Sequence, residues 1–463
     1  MVKLFDAYIP ARTLFLVLAE SFLIFSTMVA AVFLRSGADA ELTLTYQQGF
    51  LKVAVIAAVC IICLYYCDLY DSLVISNTGE VITRLIIVLG VVCLVTSILY
   101  YIYPPLQLGR GIFLLGIVLV GFALTGSREL FFALNRSALF ADPTILLGDG
   151  PLARSLAREI QNRHELGMRL VGYIGTPVNS GQEFNGLPSV GRLDSLLELV
   201  ATKQIKRVVV ALQDRRSTLP VRQLLDLRLK GLQVDDGGSL LERISGKIEV
   251  DQLHPSWLIF SEGFRLHPRV LVIQRLMGIV ASVLLLLLML PIIPLVALAV
   301  KLTSPGPAFY RQKRVGKNGV VFNCYKFRTM RADAEADSGP TWASDSDPRI
   351  TAVGHFLRIV RLDEIPQLWN VLRGDMNFVG PRPERPEFET PLAKEIPYYY
   401  LRRVIRPGIT GWAQINCGYG ASVEQSKEKM RYDLYYTKNM SLTLDLLIIF
   451  QTIKTVIFGR GAR

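Results

Sequence analysis

The chain has 463 residues, of which 51% are hydrophobic and 19% are charged, and its formal net charge is +12. This composition is too apolar for a wholly soluble protein and indicates several membrane segments joined to globular parts. The excess of Lys and Arg suits contact with anionic lipid or phosphate. The sequence shows no basic tail and no RNA- or DNA-binding signature, which argues against nucleic acid as a partner.

Four apolar runs fill the first third of the sequence, at residues 13–34, 50–66, 81–103 and 111–124. Each approaches the ~20 residues with which a helix crosses a bilayer, so the runs predict a four-helix transmembrane bundle over residues 1–141. Lys and Arg precede the first run and follow the fourth, which places both ends of the bundle in the cytoplasm. The acidic loop between the second and third runs supports this orientation less well.

From residue 142 the sequence alternates short apolar runs with helical patterns. Strand-like runs occur at residues 144–148, 170–174 and 207–212, and helical patterns occur up to residue 160 and at residues 193–202 and 221–230. Such alternation is typical of a parallel α/β sheet. Residues 142–262 are therefore predicted to form a Rossmann-like domain.

The turn after the first of these strands is Gly148-Asp-Gly150-Pro-Leu-Ala153, a degenerate form of the dinucleotide fingerprint. It fits a bound nucleotide. However, a glycine-rich turn also simply lets a strand enter a helix, and no acidic residue is clearly placed at the end of the next strand. Both interpretations stay open from the sequence.

A fifth apolar run covers residues 276–300 and is long enough to cross the membrane. Pro291 and Pro294 lie in its interior, where proline removes a backbone donor and clashes with the preceding turn. The run therefore predicts either a hairpin that enters one leaflet and returns, or a kinked fifth span. Hydropathy alone slightly favours the span.

The sequence after residue 301 is dense in cationic and turn motifs. A strand pattern at residues 320–330 places Lys326 and Arg328 on one face. Further on, two arginines precede the adjacent pair Asp363-Glu364, and a helix is predicted to begin at about Asp363 because Pro366 is tolerated in a first helical turn. The helix dipole is then expected to keep both carboxylates ionised.

Two further turns, Gly380-Pro-Arg382-Pro383 and Arg406-Pro-Gly408, are stiffened by proline and present guanidinium groups suited to phosphate binding. An isolated Asp-Glu pair beside arginines would be interpreted as a salt-bridged surface. With these turns nearby, an ionised Asp among cations fits nucleophilic attack on phosphorus. A metal ion and arginines would neutralise the phosphoryl oxygens.

Five motifs follow one another in this part of the chain. They are Lys326-Phe-Arg328-Thr-Met330, Leu362-Asp363-Glu364-Ile-Pro366-Gln-Leu368, Asn370-Val-Leu-Arg-Gly374-Asp375-Met376, Phe378-Val-Gly-Pro-Arg382-Pro383 and Arg406-Pro-Gly-Ile-Thr-Gly-Trp412. These motifs resemble those of the bacterial sugar transferases, also called monotopic phosphoglycosyl transferases or polyprenyl glycosylphosphotransferases. The resemblance covers about residues 275–463. The whole layout is similar to that of the large enzymes that initiate exopolysaccharide synthesis, and the C-terminal sequence resembles the subgroup associated with exosortase-type loci.

The resemblance implies a multi-domain membrane protein with a four-helix transmembrane bundle, a Rossmann-like (CoA-binding-like) α/β domain and an α/β catalytic domain with a re-entrant membrane helix. It implies transfer of a sugar-1-phosphate from a UDP-sugar to undecaprenyl phosphate, with release of UMP and with Mg²⁺ as cofactor. Asp363 would be the nucleophile that forms a covalent aspartyl intermediate, and Glu364 would bind Mg²⁺ or move a proton. The implied substrate-binding residues are Lys326, Arg328, Arg358, Arg361, Arg382 and Arg406, and the implied metal ligands are Glu364 and Asp375.

The domains on this interpretation are residues 1–141, 142–262 and 263–463, with the re-entrant helix at about residues 276–300. Because nucleotide sugars are cytoplasmic, a fifth span would leave Asp363 on the wrong side of the membrane, so the hairpin is preferred. The protein is expected at the bacterial inner (plasma) membrane, against the lipid bilayer, with the Rossmann-like and catalytic domains on the cytoplasmic face. A homodimer is expected by analogy with the large family members.

The predicted hairpin departs from the family pattern at two positions. The helix break of the family is usually a Ser-Pro pair, whereas here Leu290 precedes Pro291, and Gly278 stands where Asp is common. The apolar tail at residues 442–458 is expected to lie along the membrane interface.

Two alternatives are weighed against this function. A membrane-bound nucleotide-sugar dehydratase or epimerase needs a Tyr-x-x-x-Lys pair, and no Tyr in the sequence has Lys four residues later. A membrane scaffold or a regulator of polysaccharide assembly would leave the cationic loops and the Asp363-Glu364 pair unexplained. It predicts that Asp363→Asn has no effect.

Overall fold

The computed structural model describes residues 1–4, 7–70, 78–136, 141–175, 186–212, 219–253, 255–261, 263–331, 333–334, 347–417 and 422–458. The chain divides into two compact units, one of Met1–Lys3 with Tyr8–Leu241 and the other of Leu4–Ala7 with Glu242–Arg463. Two short strands, β1 (Val2–Leu4) and β2 (Ala7–Ile9), lie at the start of the chain. The three predicted domains stay a prediction, and their boundary at residue 262 falls outside the described residues.

The four apolar runs of the first unit are helices. They are α1 (Ala11–Ser36), α2 (Gly49–Tyr66), α3 (Thr78–Ile102) and α4 (Arg110–Arg136). By length and composition each can cross a membrane. Together they form a membrane bundle with an apolar interior, in which Met28, Val53, Val88 and Leu124 are fully buried. Their other faces expose large apolar side chains such as Phe22, as expected of helices that meet lipid.

The bundle also encloses a buried ion pair between α1 and α4. Arg128 Nη2 lies 2.9 Å from Glu20 Oε2, and both side chains are almost completely buried. Tyr70 donates to the same Glu20 oxygen, and Arg128 Nη1 donates to the carbonyl of Leu69. Charges at this depth are stable only when they are paired and hydrogen-bonded. Arg128 is therefore an internal partner of Glu20 as well as part of the basic flank used to orient the bundle.

The α/β part of the first unit is built on a four-stranded parallel sheet. Its strands are β3 (Asp142–Leu147), β4 (Met168–Ile174), β5 (Arg207–Val210) and β6 (Gln233–Asp236), and its helices are α5 (Pro151–Asn162), α6 (Leu196–Thr202), α7 (Val221–Leu229) and α8 (Gly237–Ser245). The strand order is β4-β3-β5-β6, with every neighbouring pair parallel. This is the doubly wound order in which the second strand lies beside the first and the third lies on its other side. The sequence missed β6 and α8, because Gln233-Val-Asp-Asp236 lacks an apolar run.

The turn after β3 has a structural reason for its first glycine. Gly148 has a φ of +126°, and a Cβ on this residue would lie 2.4 Å from the carbonyl oxygen of Ala211. The close approach of β3 to the chain after β5 therefore requires glycine here, whether or not a nucleotide binds.

The second unit continues with nine helices and four strands among the described residues. They are α9 (Pro255–Phe260), α10 (Pro268–Met289), α11 (Ile292–Thr303), β7 (Phe309–Val315), β8 (Val321–Phe327), α12 (Ala352–Ile359), α13 (Gln367–Arg373), β9 (Asn377–Val379), α14 (Pro386–Glu395), β10 (Gly408–Thr410), α15 (Trp412–Asn416), α16 (Val423–Lys438) and α17 (Leu442–Ile457). Strands β7 and β8 form an antiparallel hairpin, and β9 pairs with β10 in parallel. A core of aromatic and aliphatic side chains, including Tyr399, Leu434 and Leu444, lies under α16 and α17.

The fifth apolar run is two helices separated at Leu290-Pro291. Helix α10 is long and apolar enough to cross a membrane, whereas α11 is shorter. Pro294 does not add a second break, because it lies in the first turn of α11, where a missing backbone donor costs little. Gly278 packs against Phe378 and Val371, and an added Cβ would lie 3.4 Å from the Phe378 nitrogen. A Cβ at this position would make ordinary van der Waals contacts, so the packing of α10 does not by itself require glycine.

We expect Gly148→Ala to destabilise the protein by about 1–3 kcal/mol or more, because alanine is strained at this φ and its Cβ would overlap the Ala211 carbonyl. The matched control is Gly238→Ala, where the nearest atom to an added Cβ is 3.4 Å away. The measurement is the thermal unfolding midpoint of the detergent-solubilised chain. Equal midpoints for the two variants would contradict the assigned role of Gly148.

Candidate active site

The Asp363-Glu364 pair lies in a tight turn and not in the first turn of an α-helix. Residues Leu362–Glu364 form a 3₁₀ turn, and α13 begins only at Gln367. Arg361, just before the turn, has a φ of +59°, which reverses the chain after α12. A helical turn does begin close to Asp363, as predicted, but it is 3₁₀, and the α-helix itself begins four residues later. The left-handed residue and Pro366 together separate the two helices and place both carboxylates inside the fold.

Glu364 is the centre of a cluster of positive charge. Its Oε1 accepts from Lys326 Nζ at 3.0 Å and from Arg382 Nη2 at 2.7 Å, and Arg361 Nη1 lies 4.0 Å away. Burial of the side chain opposes its ionisation. The positive charges of Arg382 and Lys326 outweigh burial and hold the pKa of Glu364 far below its ordinary value. Glu364 is therefore a permanently ionised carboxylate at any physiological pH.

Asp363 is buried beside the same cations but makes much weaker contacts. Its Oδ2 lies 3.9 Å from Lys326 Nζ, and its Oδ1 has no hydrogen-bond partner among the described residues. Burial raises the pKa of Asp363 above its ordinary value, the negative charge of Glu364 adds to this, and Lys326 and Arg358 oppose it. The predicted ionised state of both carboxylates agrees with the lowered pKa of Glu364 and stays a prediction for Asp363. Burial and neighbouring charges set their pKa values apart, a pattern found where two carboxyl groups have different tasks.

The predicted strand at residues 320–330 is confirmed only up to Phe327. Lys326 lies on β8 and reaches the carboxylates, as its contacts show. Arg328 follows the end of the strand and does not share that face. Its guanidinium donates to the carbonyls of Ser304 and Pro305 at 2.7 and 2.8 Å, so it ties the exit of α11 to β8. Sequence periodicity failed here because the strand ends one residue too early.

The two arginines upstream of the pair approach it from different directions. Arg358 lies near the end of α12, its Nε donates to Thr329 Oγ1 at 2.9 Å, and its charge favours the ionised form of Asp363. Arg361 lies just before the turn, and its Nη1 is 4.0 Å from Glu364 Oε1. Thr329 was not singled out from the sequence, although it lies inside the Lys326–Met330 motif.

Arg382 projects from a loop that is fastened along its length. The Gly380 nitrogen donates to the Thr410 carbonyl, and the Pro381 carbonyl accepts from the Gly408 nitrogen, both at 2.9 Å. The carbonyl of Arg382 itself accepts from Arg402 Nη2 at 2.9 Å. The rigidity predicted from the prolines is thus reinforced by bonds to two other segments, β10 and the segment of Arg402, which help to fix the guanidinium on Glu364.

Arg406 and Asp375 lie at the opposite, carboxyl-terminal end of α13. Arg406 Nε donates to the carbonyl of Gly374 at 3.1 Å, which satisfies the end of the helix. Asp375 accepts from Asn370 Nδ2 at 3.0 Å and lies 3.5 Å from Arg373 Nε. These contacts give both residues a structural explanation. Their predicted roles in substrate and metal binding stay predictions.

Asn370 is a buried residue that the sequence did not single out for a role. Its side chain accepts from the Tyr325 nitrogen at 3.0 Å and donates to the Asn323 carbonyl at 2.7 Å. These bonds join α13 to β8, and so hold Lys326 at its distance from the carboxylates. A polar residue inside the apolar stretch of a short helix was the available signal.

A metal site made by protein side chains alone is not present among the described residues, where no group of three or more His, Cys, Asp or Glu residues comes together. Magnesium needs less than this, because it is commonly held by one or two carboxylates together with substrate phosphates and water. The buried Asp363 Oδ1 without a hydrogen-bond partner is an atom that fits such a ligand.

The arrangement as a whole is of the class that binds phosphate groups. Two buried carboxylates face cations from β8, from the end of α12, from the turn and from the Arg382 loop. A polyanion that enters such a cluster meets several fixed positive charges, while one carboxylate oxygen stays free of hydrogen bonds.

Comparison with known proteins agrees with this class. The sequence model of the bacterial sugar transferase family matches residues 269–459, and that of a CoA-binding domain matches residues 66–226. The second match begins at the end of α2 and ends within α7, so it overlaps the predicted Rossmann-like domain only in part.

Several named relatives are similar to parts of the chain. The chain is 44% identical over 223 residues to the UDP-N-acetylgalactosamine-undecaprenyl-phosphate N-acetylgalactosaminephosphotransferase of Aeromonas hydrophila, which covers 48% of this chain and 52% of that one. It is 36% identical over 317 residues to the UDP-glucose:undecaprenyl-phosphate glucose-1-phosphate transferase of Escherichia coli K12, covering 66% of each chain. It is 41% identical over 196 residues to the enzyme of the same name from Caulobacter vibrioides, covering 41% of this chain and 72% of that one.

The chain belongs to the bacterial sugar transferase family. It spans about half of the length of the Aeromonas relative and about two thirds of the length of the Escherichia coli relative.

The two carboxyl groups lead to opposite predictions for stability. The pKa of Asp363 is raised in the folded chain, so its ionisation disfavours folding, and this cost appears as the pH rises above the unfolded value of about 3.9. We expect Asp363→Asn to be at least as stable as the wild type at pH 8, with the difference shrinking toward pH 4. The pKa of Glu364 is lowered, so its ionised form favours folding above the unfolded value of about 4.3.

We therefore expect Glu364→Gln to lose about 3–5 kcal/mol at pH 8, the usual cost of breaking a buried ion pair. This loss should stay constant from pH 8 down to the unfolded value of about 4.3 and decrease only below it, because the unfolded chain takes up a proton there while the folded carboxylate stays ionised. Thermal unfolding midpoints of both variants between pH 4 and pH 8 make the test. Equal losses for the two variants at pH 8 would show that the carboxyl groups are equivalent after all.

Proposed function

We propose that this chain transfers a sugar-1-phosphate from a UDP-sugar to undecaprenyl phosphate, releases UMP, and so initiates exopolysaccharide repeat-unit synthesis. The observation that carries the proposal is the buried Asp363, one carboxylate oxygen of which accepts no hydrogen bond from the part of the chain that the structure describes. It lies among cations that contact Glu364. The named activities of the relatives support the same reaction. The identity of the sugar is not part of the proposal, because the contacts concern phosphate and not the sugar hydroxyl groups.

In the first proposed step Asp363 Oδ1 attacks the phosphorus that carries the sugar. A new oxygen–phosphorus bond forms, the bond to the bridging oxygen of the nucleotide breaks, and UMP leaves with the electron pair. Lys326, Arg358 and Arg382 would neutralise charge on the phosphoryl oxygens. Lys326 and Arg382 contact the two carboxylates, and the charge of Arg358 favours the ionised form of Asp363.

In the second step an oxygen of undecaprenyl phosphate attacks the same phosphorus. The bond from Asp363 to phosphorus breaks, the lipid receives the sugar-phosphate, and the free carboxylate is restored. Glu364 stays ionised in both steps because its cations stabilise that form, so it orders the cations and does not donate a proton.

Magnesium would be held by Asp363 or Glu364 together with the phosphates of the donor. When bound there it would supply further positive charge to the phosphoryl oxygens. Asp375, the other predicted ligand, would have to release its hydrogen bond from Asn370 to join them.

A re-entrant arrangement of α10 and α11 is supported by where each helix packs. In α10, Arg275 donates to the carbonyls of Val371 and Leu372 in α13. In α11, Val296 and Val300 pack with Phe327 and Leu357, against which Ile365 also packs.

These contacts favour a hairpin on geometric grounds. A straight helix from Gly278 to Ala297 would be about 29 Å long at 1.5 Å per residue. Yet Gly278 packs against Val371, while Ala297 belongs to the cluster that includes Ile365. Ile365 and Val371 are separated by less than two turns of helical chain, about 10 Å. A fold-back at Leu290-Pro291 would let the apolar run meet both residues and would return the chain to the side on which it entered.

A hairpin and an even number of preceding spans together favour a cytoplasmic active site at the bacterial plasma membrane. The donor is then available from the cytoplasm, and the acceptor phosphate lies at the level of the lipid headgroups. The homodimer expected from the resemblance stays a prediction.

The reaction is tested with the purified full chain, Mg²⁺, undecaprenyl phosphate and a panel of UDP-sugars, by measuring UMP release. We expect lipid-dependent UMP from at least one donor, its loss when EDTA replaces Mg²⁺, and a decrease of more than about 10³-fold in Asp363→Asn because the attacking atom is removed.

The matched control is Glu387→Gln, which neutralises a carboxylate that is about half exposed and lies outside the cluster. This variant should keep wild-type activity. An Asp363→Asn protein that is folded and as active as the wild type would instead support the scaffold or regulator, which predicts that the substitution is silent.

The proposed topology is tested by labelling intact cells with a membrane-impermeant maleimide. Two single-cysteine variants are made in a chain whose six native cysteines are replaced by alanine. Asp39→Cys lies between α1 and α2, and Val320→Cys lies between β7 and β8, where the native side chain is 67% exposed. We expect labelling of Asp39→Cys in intact cells, and of Val320→Cys only after permeabilisation. Labelling of Val320→Cys in intact cells would indicate a crossing helix.

A further inference from the structure

The loop that carries Arg382 rests on a second, fully buried arginine. Arg402 lies in the 3₁₀ segment Tyr399–Arg403 and is 8% exposed. Its Nη2 donates to the carbonyl of Arg382 at 2.9 Å, and its Nη1 donates to Tyr399 Oη at 2.6 Å. We call Tyr399, Arg402 and Asp433 the Arg402 cluster, because Asp433 Oδ2 lies 3.0 Å from the same Nη2.

A buried charge of this kind needs a reason beyond packing. Taking a guanidinium and a carboxylate out of water is costly, and apolar side chains of similar volume usually stabilise a core equally well. Asp433 is 1% exposed and lies in the middle of α16, so the pair lies deep in the second unit. The planar fork of arginine suits it to hold several acceptors at fixed angles at once, which an apolar residue or a lysine does not do.

The contacts form a continuous chain that ends at the candidate active site. Asp433 orients Arg402, Arg402 holds the backbone of Arg382, and the Arg382 guanidinium lies 2.7 Å from Glu364 Oε1. A second guanidinium acts on the next residue, since Arg314 Nη1 donates to the Pro383 carbonyl at 2.9 Å. The two carbonyls that follow one another in the loop are thus each fixed by an arginine.

We propose that Arg402 is a positioning residue for the transfer reaction, which it serves by holding the Arg382 backbone so that the Arg382 guanidinium stays on Glu364. This role rests on the proposed function, since it concerns the same site. Arg402 touches neither substrate nor the reacting atoms. Its effect on the chemistry passes through Arg382 alone.

Arg402→Lys is the informative variant, because it keeps a cation beside Asp433 but lacks the planar fork that reaches Arg382 and Tyr399 together. Arg402→Ala is less useful, since it leaves Asp433 buried without its cation. The matched control is Arg431→Lys. Arg431 also joins carboxylates by a fork, which is only partly buried, to Glu249 at 2.9 Å and Glu428 at 2.7 Å, but no contact in the described residues links it to Arg382.

The first readout is amide hydrogen exchange in the full detergent-solubilised chain, which does not depend on activity. We expect Arg402→Lys to speed exchange at least about 10-fold at the amides bonded across the loop, those of Val315, Gly380 and Gly408. Arg431→Lys should leave these amides unchanged. Unchanged exchange in Arg402→Lys would overturn the proposal whatever its activity.

The second readout is a double-mutant cycle on UMP release with Arg382→Ala. We expect Arg402→Lys to lower turnover by about 10-fold in the wild-type background and by less than about 2-fold when Arg382 is already alanine, because coupled residues are not additive. An undiminished effect in the Arg382→Ala background would overturn the proposal, since Arg402 would then act by another route. The wild type could release no UMP from any donor while hydrogen exchange changes as expected. This result would contradict the proposed transfer reaction but would still support the role of Arg402 in holding the loop.

Discussion

The ionised carboxylate of Glu364 is the constraint on which the candidate site depends. It draws together Lys326 from β8, Arg361 from the chain reversal and Arg382 from a distant loop. None of these segments is held in place by its own secondary structure alone, because the strand is part of a two-stranded hairpin and the loop has no regular structure. Without the carboxylate, three partly buried cations would repel one another where the dielectric constant is lower than in water. The negative charge of Glu364 therefore offsets the repulsion among these three cations and favours one arrangement of the site.

The neighbouring carboxylate, Asp363, has a different role because the short contacts with the cations are made by Glu364. Asp363 lies farther from the same cations, so the effect of burial on its pKa exceeds the effect of their charge. Its pKa is therefore raised, whereas that of Glu364 is lowered. One oxygen of Asp363 is left without a hydrogen bond among the described residues. A buried polar atom of this kind is costly in a finished structure and is expected mainly where a ligand or a reaction will use it. Glu364 thus stabilises the site, whereas the adjacent Asp363 carries the oxygen that is proposed to react.

The sequence predicted well what depends on local pattern and poorly what depends on contacts between segments. The apolar runs correctly predicted α1 to α4 and the break at Leu290-Pro291. The motifs correctly predicted that Lys326 and Arg382 lie close to the carboxylates. Arg328 was misplaced because its strand ends one residue earlier, and the start of α13 was misplaced because Arg361 takes a left-handed conformation. Neither is visible in composition or periodicity. The Arg402–Asp433 pair was missed for a similar reason, since nothing local marks two distant charged residues as partners.

The membrane hairpin proposed for α10 and α11 is part of the site and not only its anchor. Val296 and Val300 of α11 pack with Phe327, which follows Lys326, and Leu362, which precedes Asp363, packs against the same cluster. The apolar floor beneath the carboxylates is therefore made from the segment that would lie in the bilayer. An acceptor with an apolar chain and a phosphate head requires both environments within a few ångströms. Here the apolar cluster includes Phe327 and Leu362, the chain neighbours of Lys326 and Asp363, so an apolar and a charged environment adjoin at these two positions.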